Sequence, residues 1–262
     1  IYESMFANAL TGTLVIADAT NLIGKLPIQG TEILTFKLST PGSPGIDCST
    51  PEKAMHVYAL TDKQQSSDGV EIYTLHFASR EFLRNIRTRV SQAYSGRIDQ
   101  MVSSIMQDEN YLDSRKELKV QETSNQDKIV IPNMHPFQAI NMLQKRALST
   151  IDNTTNVGYH FYETPRGFHF RSWESMCVDA NGVPRDIKQS FEYMKVNMTD
   201  NSAYSAKKNK VTHEYQSVEN YRFISTSHDV ASNQAAGTYA SRVISHNLYD
   251  KSYTESDYSY HN

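Results

Sequence analysis

The chain has 262 residues, with 26 lysines and arginines against 29 aspartates and glutamates, which gives a formal net charge of −3. This balance excludes a general electrostatic attraction to nucleic acid or to an anionic membrane. No apolar run approaches the roughly 20 residues that a membrane span needs, so we expect no membrane contact. Cys48 and Cys177 lie far apart without a CxxC spacing, and we expect both to be free thiols.

Residues 1–78 are predicted to be β-structure, because stretches rich in β-branched and aromatic residues alternate with glycine, proline and serine. The predicted strands are Thr13–Ala17, Ile33–Leu38, Ala54–Leu60 and Val70–Ala78. In the last of these, Tyr73, Leu75 and Phe77 fall on alternate positions, which predicts one apolar face. The chain opens at Ile1 inside a stretch typical of a strand, and we expect the natural protein to continue upstream.

Two helices are predicted to follow, the first capped by Ser79 and the second by Ser95. Apolar residues spaced three and four apart would form one face on each helix. The first face would be Phe82, Leu83, Ile86 and Val90, and the second Ile98, Met101, Val102, Ile105 and Met106.

Residues 132–173 carry the strongest pattern in the chain. Pro136 suits the first position of a helix, and apolar residues follow it at three- and four-residue steps. Two aromatic strands, Val157–Glu163 and Phe168–Trp173, are joined by Thr-Pro-Arg-Gly, which predicts a β-hairpin. We expect the helix to pack on this hairpin around a structural core of Phe137, Ile140, Phe161 and Phe170.

The sequence contains no pattern that predicts an active site. Its nine histidines form no HExxH or HxH spacing, and GxSxG is absent. His160 and His169 are expected to lie across the hairpin from each other, where two imidazoles without a third ligand are more typical of packing than of a metal site. Cys177 paired with an unlinked histidine is a background feature of a chain this long. We therefore predict no catalytic residue, no cofactor and no metal ligand.

The pattern weakens after Trp173. Residues 197–214 are predicted to form a polar loop. Further on, Thr238–Ser245 and Tyr258–His261 are predicted to be strands that have no sheet of their own.

Five segments, in a fixed order, resemble a known family. They are IYESMFANALTGTLVIADATNLIGKLPIQGTEILTFKL, VYALTDKQQSSDGVEIYTLHFASREFLRNIRTRVSQAYSG, KIVIPNMHPFQAINMLQKRA, GYHFYETPRGFHFRSWESM and GTYASRVISHNLYDKSYTESDYSY. Their order is similar to that of the baseplate hub proteins of contractile-tailed, T-even-like bacteriophages, which are related to the hub domains of type VI secretion spike proteins. His135 departs from the family's pattern, in which Ser, Thr or Asp more usually caps the helix.

The resemblance implies a mainly β chain with α elements, of the α+β class. It would contain two antiparallel β-barrel tube domains with flanking helices, the second inserted in the first. The first would comprise residues 1–90 and 215–262. The second would comprise residues 91–200 and would be incomplete, since the family completes it with later chain.

The resemblance also implies a structural role without catalysis. The chain would form a homotrimeric hub that joins the tail tube protein to the central spike protein and contacts other baseplate proteins. This hub would adapt three-fold to six-fold symmetry around a channel through which genome DNA passes without tight binding. Its location would be the tail baseplate of the virion, after assembly in the host cytoplasm.

Two alternative functions remain open from the sequence. A tail-associated cell-wall hydrolase would need an acid and a base that converge in a cleft. A glycan- or receptor-binding tail module would need an exposed aromatic platform, for which Trp173 and the tyrosine-rich residues 250–262 are the candidates.

Overall fold

A computed structural model describes residues 1–26, 28–40, 43–65, 69–149, 151, 157–179, 182–187, 190–193, 217–218, 220–222 and 229–260. The chain is α+β, as predicted, with strands accounting for 44% and six short helices in the described part. It divides into two compact units, Ile1–Lys188 and Gln189–Asn262. Within the described residues, no helix has the length and apolar character needed to cross a membrane.

A four-stranded antiparallel sheet dominates the first part of the chain. Its order is β1-β6-β5-β2, formed by β1 (Thr11–Asp18), β2 (Ile33–Leu34), β5 (Met55–Gln65) and β6 (Glu71–Ser79). A one-turn helix, α1 (Leu22–Lys25), follows β1, and β3 (Lys37–Thr40) pairs with β4 (Ser43–Asp47). The sheet corresponds to half of a barrel.

The core under this sheet follows the alternation that the sequence predicts. Tyr73, Leu75 and Phe77 of β6 are buried, and Leu10, Cys48, Met55 and Val57 pack with them. The predicted strand Ile33–Leu38 is wrong as a continuous element, because it breaks between β2 and β3. At this break the chain changes from pairing with β5 to pairing with β4, and Phe36 packs on Phe77 with 5.9 Å between the ring centroids.

Six elements surround a second hydrophobic core. They are β7 (Val90–Arg97), α3 (Ile98–Gln107), β9 (Gln126–Met134), α4 (Pro136–Gln144), β10 (Tyr159–Thr164) and β11 (Gly167–Ser172). β7 pairs with β9, and a three-stranded sheet has the order β10-β11-β8, in which β8 (Leu118–Val120) runs parallel to β11. The four residues named from the sequence lie buried in this core: Phe137, Ile140, Phe161 and Phe170. Helix and hairpin meet there, with the rings of Phe137 and Phe161 5.9 Å apart.

The region between the two cores differs from the prediction. The first predicted helix is shorter, because α2 (Arg80–Arg87) ends at Thr88 and Val90 belongs to β7, a strand that we did not predict. Val90 lies in a strand because β7 pairs with β9, and such tertiary contacts override local helix periodicity. The only fully buried residue of α2 is Glu81. Of its predicted apolar face, Phe82 is partly buried and packs against the second core, whereas Ile86 is exposed.

Of the two predicted serine caps, Ser79 is at the predicted position and Ser95 is not. Ser79 occupies the N-cap position of α2 but makes no capping hydrogen bond, and Ser95 lies within β7 while Arg97 precedes α3. The predicted apolar face of α3 is confirmed, since all five of its residues are buried. At α4 the N-cap residue His135 makes no capping bond with its side chain, and Asn85 of α2 instead accepts the N–H of Phe137 at 2.8 Å.

The second unit contains two short sheets. β12 (Glu192–Tyr193) pairs with β13 (Ser217–Val218), and after α6 (Val230–Ala235) the strands β14 (Ala240–Asn247) and β15 (Ser252–Ser259) form an antiparallel hairpin. The predicted strand Thr238–Ser245 overlaps β14, whereas of the predicted strand Tyr258–His261 only Tyr258 and Ser259 lie in β15, and His261 lies outside the described residues. Because β14 and β15 pair with each other, these strands do have a sheet of their own. The predicted loop of residues 197–214 lies outside the described residues. The domain boundaries and the two nested barrels stay predictions.

Candidate functional site

A buried lysine lies between two buried glutamates in the first unit. The Nζ of Lys116 donates to Glu81 Oε2 at 2.8 Å and to Glu163 Oε1 at 2.6 Å. The side chains of Lys116, Glu81 and Glu163 are 5%, 2% and 1% exposed. We call these three residues the Lys116 network.

Three separate elements place the members of the Lys116 network. Glu81 stands in the first turn of α2, Glu163 lies on the core-facing side of β10, and Lys116 precedes β8. The remaining carboxylate oxygens also have donors: Ser114 Oγ lies 2.7 Å from Glu81 Oε1, and the Leu10 N–H lies 2.8 Å from Glu163 Oε2. A buried ion cluster is tolerated only when its polar atoms are satisfied in this way.

Electrostatics keep the Lys116 amine protonated. Burial by itself would lower the pKa of Lys116, but attraction by Glu163 and Glu81 outweighs burial and raises that pKa. Burial also raises the pKa of Glu163, against the opposing attraction of Lys116. The cavity beside Lys116 and Glu163 measures only about 10 Å³, enough for a single water at most. A permanently charged amine without substrate space suits a structural role.

The Lys116 network lies where the two hydrophobic cores meet. Leu10, which bonds to Glu163, belongs to the core of the first sheet, while the adjacent Ala9 belongs to the second core. One residue earlier, Asn8 exchanges two 3.0 Å hydrogen bonds with Asn141 of α4. Residues 8–10 therefore join the two cores through buried and half-buried polar contacts.

An exposed aromatic cluster lies on the same unit. It consists of Phe6, His160 and Trp173, with Phe6 73% and Trp173 45% exposed. All three rings contact one another, with centroid distances of 5.6 Å for Phe6–His160, 4.9 Å for His160–Trp173 and 6.2 Å for Phe6–Trp173. We call this group the Trp173 cluster, and it contains the tryptophan that the sequence offered as a candidate for an aromatic binding platform.

The predicted pairing of His160 with His169 is wrong. His160 stands opposite Arg171, and His169 stands opposite Tyr162, on which it stacks at 5.0 Å. The predicted strand ends Glu163 and Phe168 do face each other, and counting back from that pair places His160 opposite Arg171. Burial lowers the pKa of both histidines. Within the described ranges, no three histidine, cysteine or carboxylate side chains are grouped as metal ligands.

Both cysteines are free, as predicted. Cys48 is buried and Cys177 is exposed. Burial raises the pKa of the Cys48 thiol, which makes it less reactive rather than more.

Sequence reasoning did not find the Lys116 network. Its members are 35 and 47 positions apart, and no local pattern connects them. One signal was present: Glu163 follows Tyr159 and Phe161 on the alternation that places side chains in the core. A carboxylate at a core position of a strand indicates a buried cationic partner elsewhere.

An eight-residue strand, β1, forms one edge of the four-stranded sheet. Among the described strands it pairs only with β6, and its Val15 side chain is exposed. Long exposed edges are surfaces for pairing with another strand.

No protein-family model and no curated protein matches this chain.

Proposed function

We propose that the chain is a structural subunit of a phage tail baseplate, in which three copies form the hub that joins the tail tube to the central spike. The main support is that one compact unit contains two β-rich cores joined by the Lys116 network. The order of sequence segments that resembles the baseplate hub family points to the same role.

Two β-cores per chain fit an adaptor between different symmetries. A six-fold tube needs six equivalent docking surfaces, and a closed ring repeats one contact around its axis. With two similar barrels per chain, three chains supply six surfaces. In this proposal each core belongs to one barrel, residues 215–262 complete the barrel of residues 1–90, and residues 91–200 form the inserted barrel.

A rigid joint between the barrels would be essential in such a ring. The Lys116 network has donors on every carboxylate oxygen and lies out of water, and the Asn8–Asn141 pair adds a second connection. Buried polar networks of this kind favour one geometry over its alternatives. They would hold the two barrels at a constant angle.

Subunits would join through sheet edges, and β1 is the longest edge of its sheet. The partners in this proposal are the chain itself, the tail tube protein, the central spike protein and other baseplate proteins. DNA would pass through the ring without tight binding, since the net charge is −3. The hub would act in the virion after assembly in the host cytoplasm, without catalysis and without a cofactor.

The deciding experiment is a reconstruction of the assembled particle with antibody or tag labelling of this chain. We expect three copies in a ring on the tail axis. Six copies per ring, or a single copy on the outer surface of the tail, would overturn the proposal.

A substitution in β1 tests the edge contact directly. Val15→Lys places a charge on the exposed edge and should leave the isolated chain folded while blocking ring assembly. Val15→Thr keeps a β-branched side chain at the same place and should assemble normally. Normal assembly of the lysine variant would show that β1 does not join subunits.

The Trp173 cluster favours a second candidate function, a glycan- or receptor-binding tail module. Trp173 is the only tryptophan in the chain, so its fluorescence reports on this site alone. Saturable quenching by an oligosaccharide, lost in Phe6→Ala, would support the module. Unchanged fluorescence across a panel of host surface glycans would remove this candidate.

A further inference from the structure

A cleft of about 420 Å³ opens on the first unit beside β8, β11 and α5 (Trp173–Cys177). Three cationic side chains line it: Lys119, Arg171 and Arg185. Asp179 is the acidic residue of the lining. The volume falls within the usual range of ligand sites, roughly 300–1,000 Å³.

Arg171 has no counter-charge among the residues that the structure describes. Burial of Phe170 and Ser172 on either side places Arg171 on the face of β11 turned away from the core. Its side chain is half-buried, yet within the described part of the chain it takes part in no hydrogen bond or ion pair. A guanidinium offers five donors and costs free energy when it is desolvated without an acceptor.

The other half-buried arginines of the described residues each have a hydrogen-bond acceptor. Arg80 bonds to Asp113 at 2.6 Å, Arg84 to the Tyr111 carbonyl at 2.9 Å, and Arg97 to Asp99 at 2.9 Å. Of the half-buried arginines that the structure describes, Arg171 alone lacks such an acceptor. Its missing partner is therefore a specific feature of this cleft.

Arg185 is held in place on the same cleft. Its Nε donates to the carbonyls of Ser175 and Val178, at 3.1 and 3.0 Å, at the C-terminal end of α5. Its terminal nitrogens have no acceptor among the residues described. Lys119 makes only an exposed contact with Glu117, at 3.5 Å, which contributes little. Donors from three cations thus remain available.

A histidine lies close to two of these cationic side chains. His169 stands two residues before Arg171 and is paired with Lys119 across β8 and β11. Burial lowers the pKa of His169, and the charges of Lys119 and Arg171 lower it further. The excess of cationic over acidic side chains in the lining of the cleft favours an anionic ligand.

The chemistry of the lining identifies the kind of anion. Val120, Ile151 and Val178 share the cleft with the cations. A phosphate backbone would gain nothing from these aliphatic side chains, and a continuous polyanion would need an extended basic surface on a chain whose net charge is −3. An acidic peptide presents both carboxylates and apolar side chains.

We propose that this cleft binds a partner protein through an acidic segment in which aspartate or glutamate alternates with apolar residues. Arg171 would accept one carboxylate in the bidentate geometry that arginine favours, and the aliphatic side chains would contact the flanking apolar residues. This goes beyond the hub function and does not depend on it, because the described lining residues all belong to a single chain.

The test is a fluorescence anisotropy titration of the full chain with a short labelled peptide that alternates leucine and aspartate. A matched peptide with asparagine in place of aspartate provides the first comparison. We expect the asparagine peptide to bind at least about tenfold more weakly than the aspartate peptide, since charge-assisted hydrogen bonds are lost. Equal affinity of the two peptides, or no binding of the aspartate peptide at millimolar concentration, would overturn the proposal.

Two variants test whether the peptide binds in this cleft. Arg171→Gln should weaken binding of the aspartate peptide about tenfold, whereas Arg166→Gln removes the same charge from the exposed hairpin turn, outside the cleft, and should change affinity less than about twofold. A comparable loss in both variants would mean general electrostatics and would refute the site. Tighter binding of a single-stranded oligonucleotide than of the peptide would also refute it.

Thermal unfolding shows whether the variant is intact. Because Arg171 lacks an acceptor in the free chain, Arg171→Gln should unfold at the same or a higher temperature than the wild type. Weaker peptide binding by a variant of unchanged stability supports the cleft. A marked drop in melting temperature would show that Arg171 has an internal structural role instead.

Discussion

Two antiparallel hairpins in this chain have similar ladders and opposite surroundings. β10–β11 pairs six residues per strand, and its side chains alternate between buried and half-buried. β14–β15 pairs eight residues per strand, and nearly all of its side chains are exposed, Val243, Ile244 and Tyr253 among them. The longer ladder is therefore the less packed one.

This difference separates backbone pairing from packing as sources of stability. An isolated two-stranded hairpin is marginal in water, whatever its hydrogen bonds. β10–β11 gains its stability from aromatic contacts, with Tyr159 and Phe170 at 4.8 Å and Phe161 and Phe168 stacked at 5.5 Å. We expect substitutions in this hairpin to affect global unfolding and those in β14–β15 to have only local effects.

The largest expected effect is that of Phe170→Ala. Phe170 is fully buried, and truncating a buried phenylalanine typically costs about 3–5 kcal/mol through lost contacts and a cavity. Urea denaturation should show an unstable or insoluble protein. Tyr253→Ala, at an exposed aromatic of β15, should change the free energy of unfolding by less than about 0.5 kcal/mol. Equal losses would contradict the comparison.

The second largest effect on stability is expected for Lys116→Met. It leaves Glu81 and Glu163 buried without their cation, for which we expect a loss of about 3 kcal/mol in the free energy of unfolding. Adding Glu81→Gln and Glu163→Gln to the same chain should recover much of that loss, since neutral amides need no counter-charge. A Lys116→Met protein as stable as the wild type would mean that the network does not join the cores.

A smaller effect is expected at alkaline pH. Because the folded pKa of Lys116 is raised above 10.5, its contribution is complete below this value and is lost as pH rises through the folded pKa. Burial raises the pKa of Tyr94 and Tyr159 to about 12, which destabilises wild type and variant alike as pH rises. The difference in melting temperature between wild type and Lys116→Met should therefore shrink above pH 10.5. A melting-temperature difference that does not change with pH would contradict the raised pKa of Lys116.

The smallest effect is expected for Arg242→Met, which removes the corresponding cation of β14–β15. Arg242 also lies between two carboxylates, 2.6 Å from Glu255 and 2.6 Å from Asp257. Its side chain is 59% exposed and theirs are 40% and 61% exposed, so water replaces most of the interaction. We expect a loss of about 0.2–1 kcal/mol by urea denaturation. A loss as large as that of Lys116→Met would show that burial does not determine how much an ion pair contributes to the free energy of unfolding.

Local sequence pattern was sufficient wherever one element buries one face. The spacing of Ile98, Val102 and Ile105 predicted the buried side of α3, and the alternation of Tyr73, Leu75 and Phe77 predicted the core face of β6. The helix at Pro136 and the hairpin that follows it were predicted for the same reason. In each case the period of the backbone and the period of the apolar residues coincide.

The sequence by itself thus predicted the α+β class, the helix–hairpin packing and part of the second core, namely the buried face of α3 and Phe137, Ile140, Phe161 and Phe170. Only the tertiary structure decided that residues 90–97 form β7, that β14 pairs with β15, and that Lys116 meets Glu81 and Glu163. Strand pairing and ion clusters join residues tens of positions apart. Their partners are chosen by the shape and burial of the assembled chain, which no local period records.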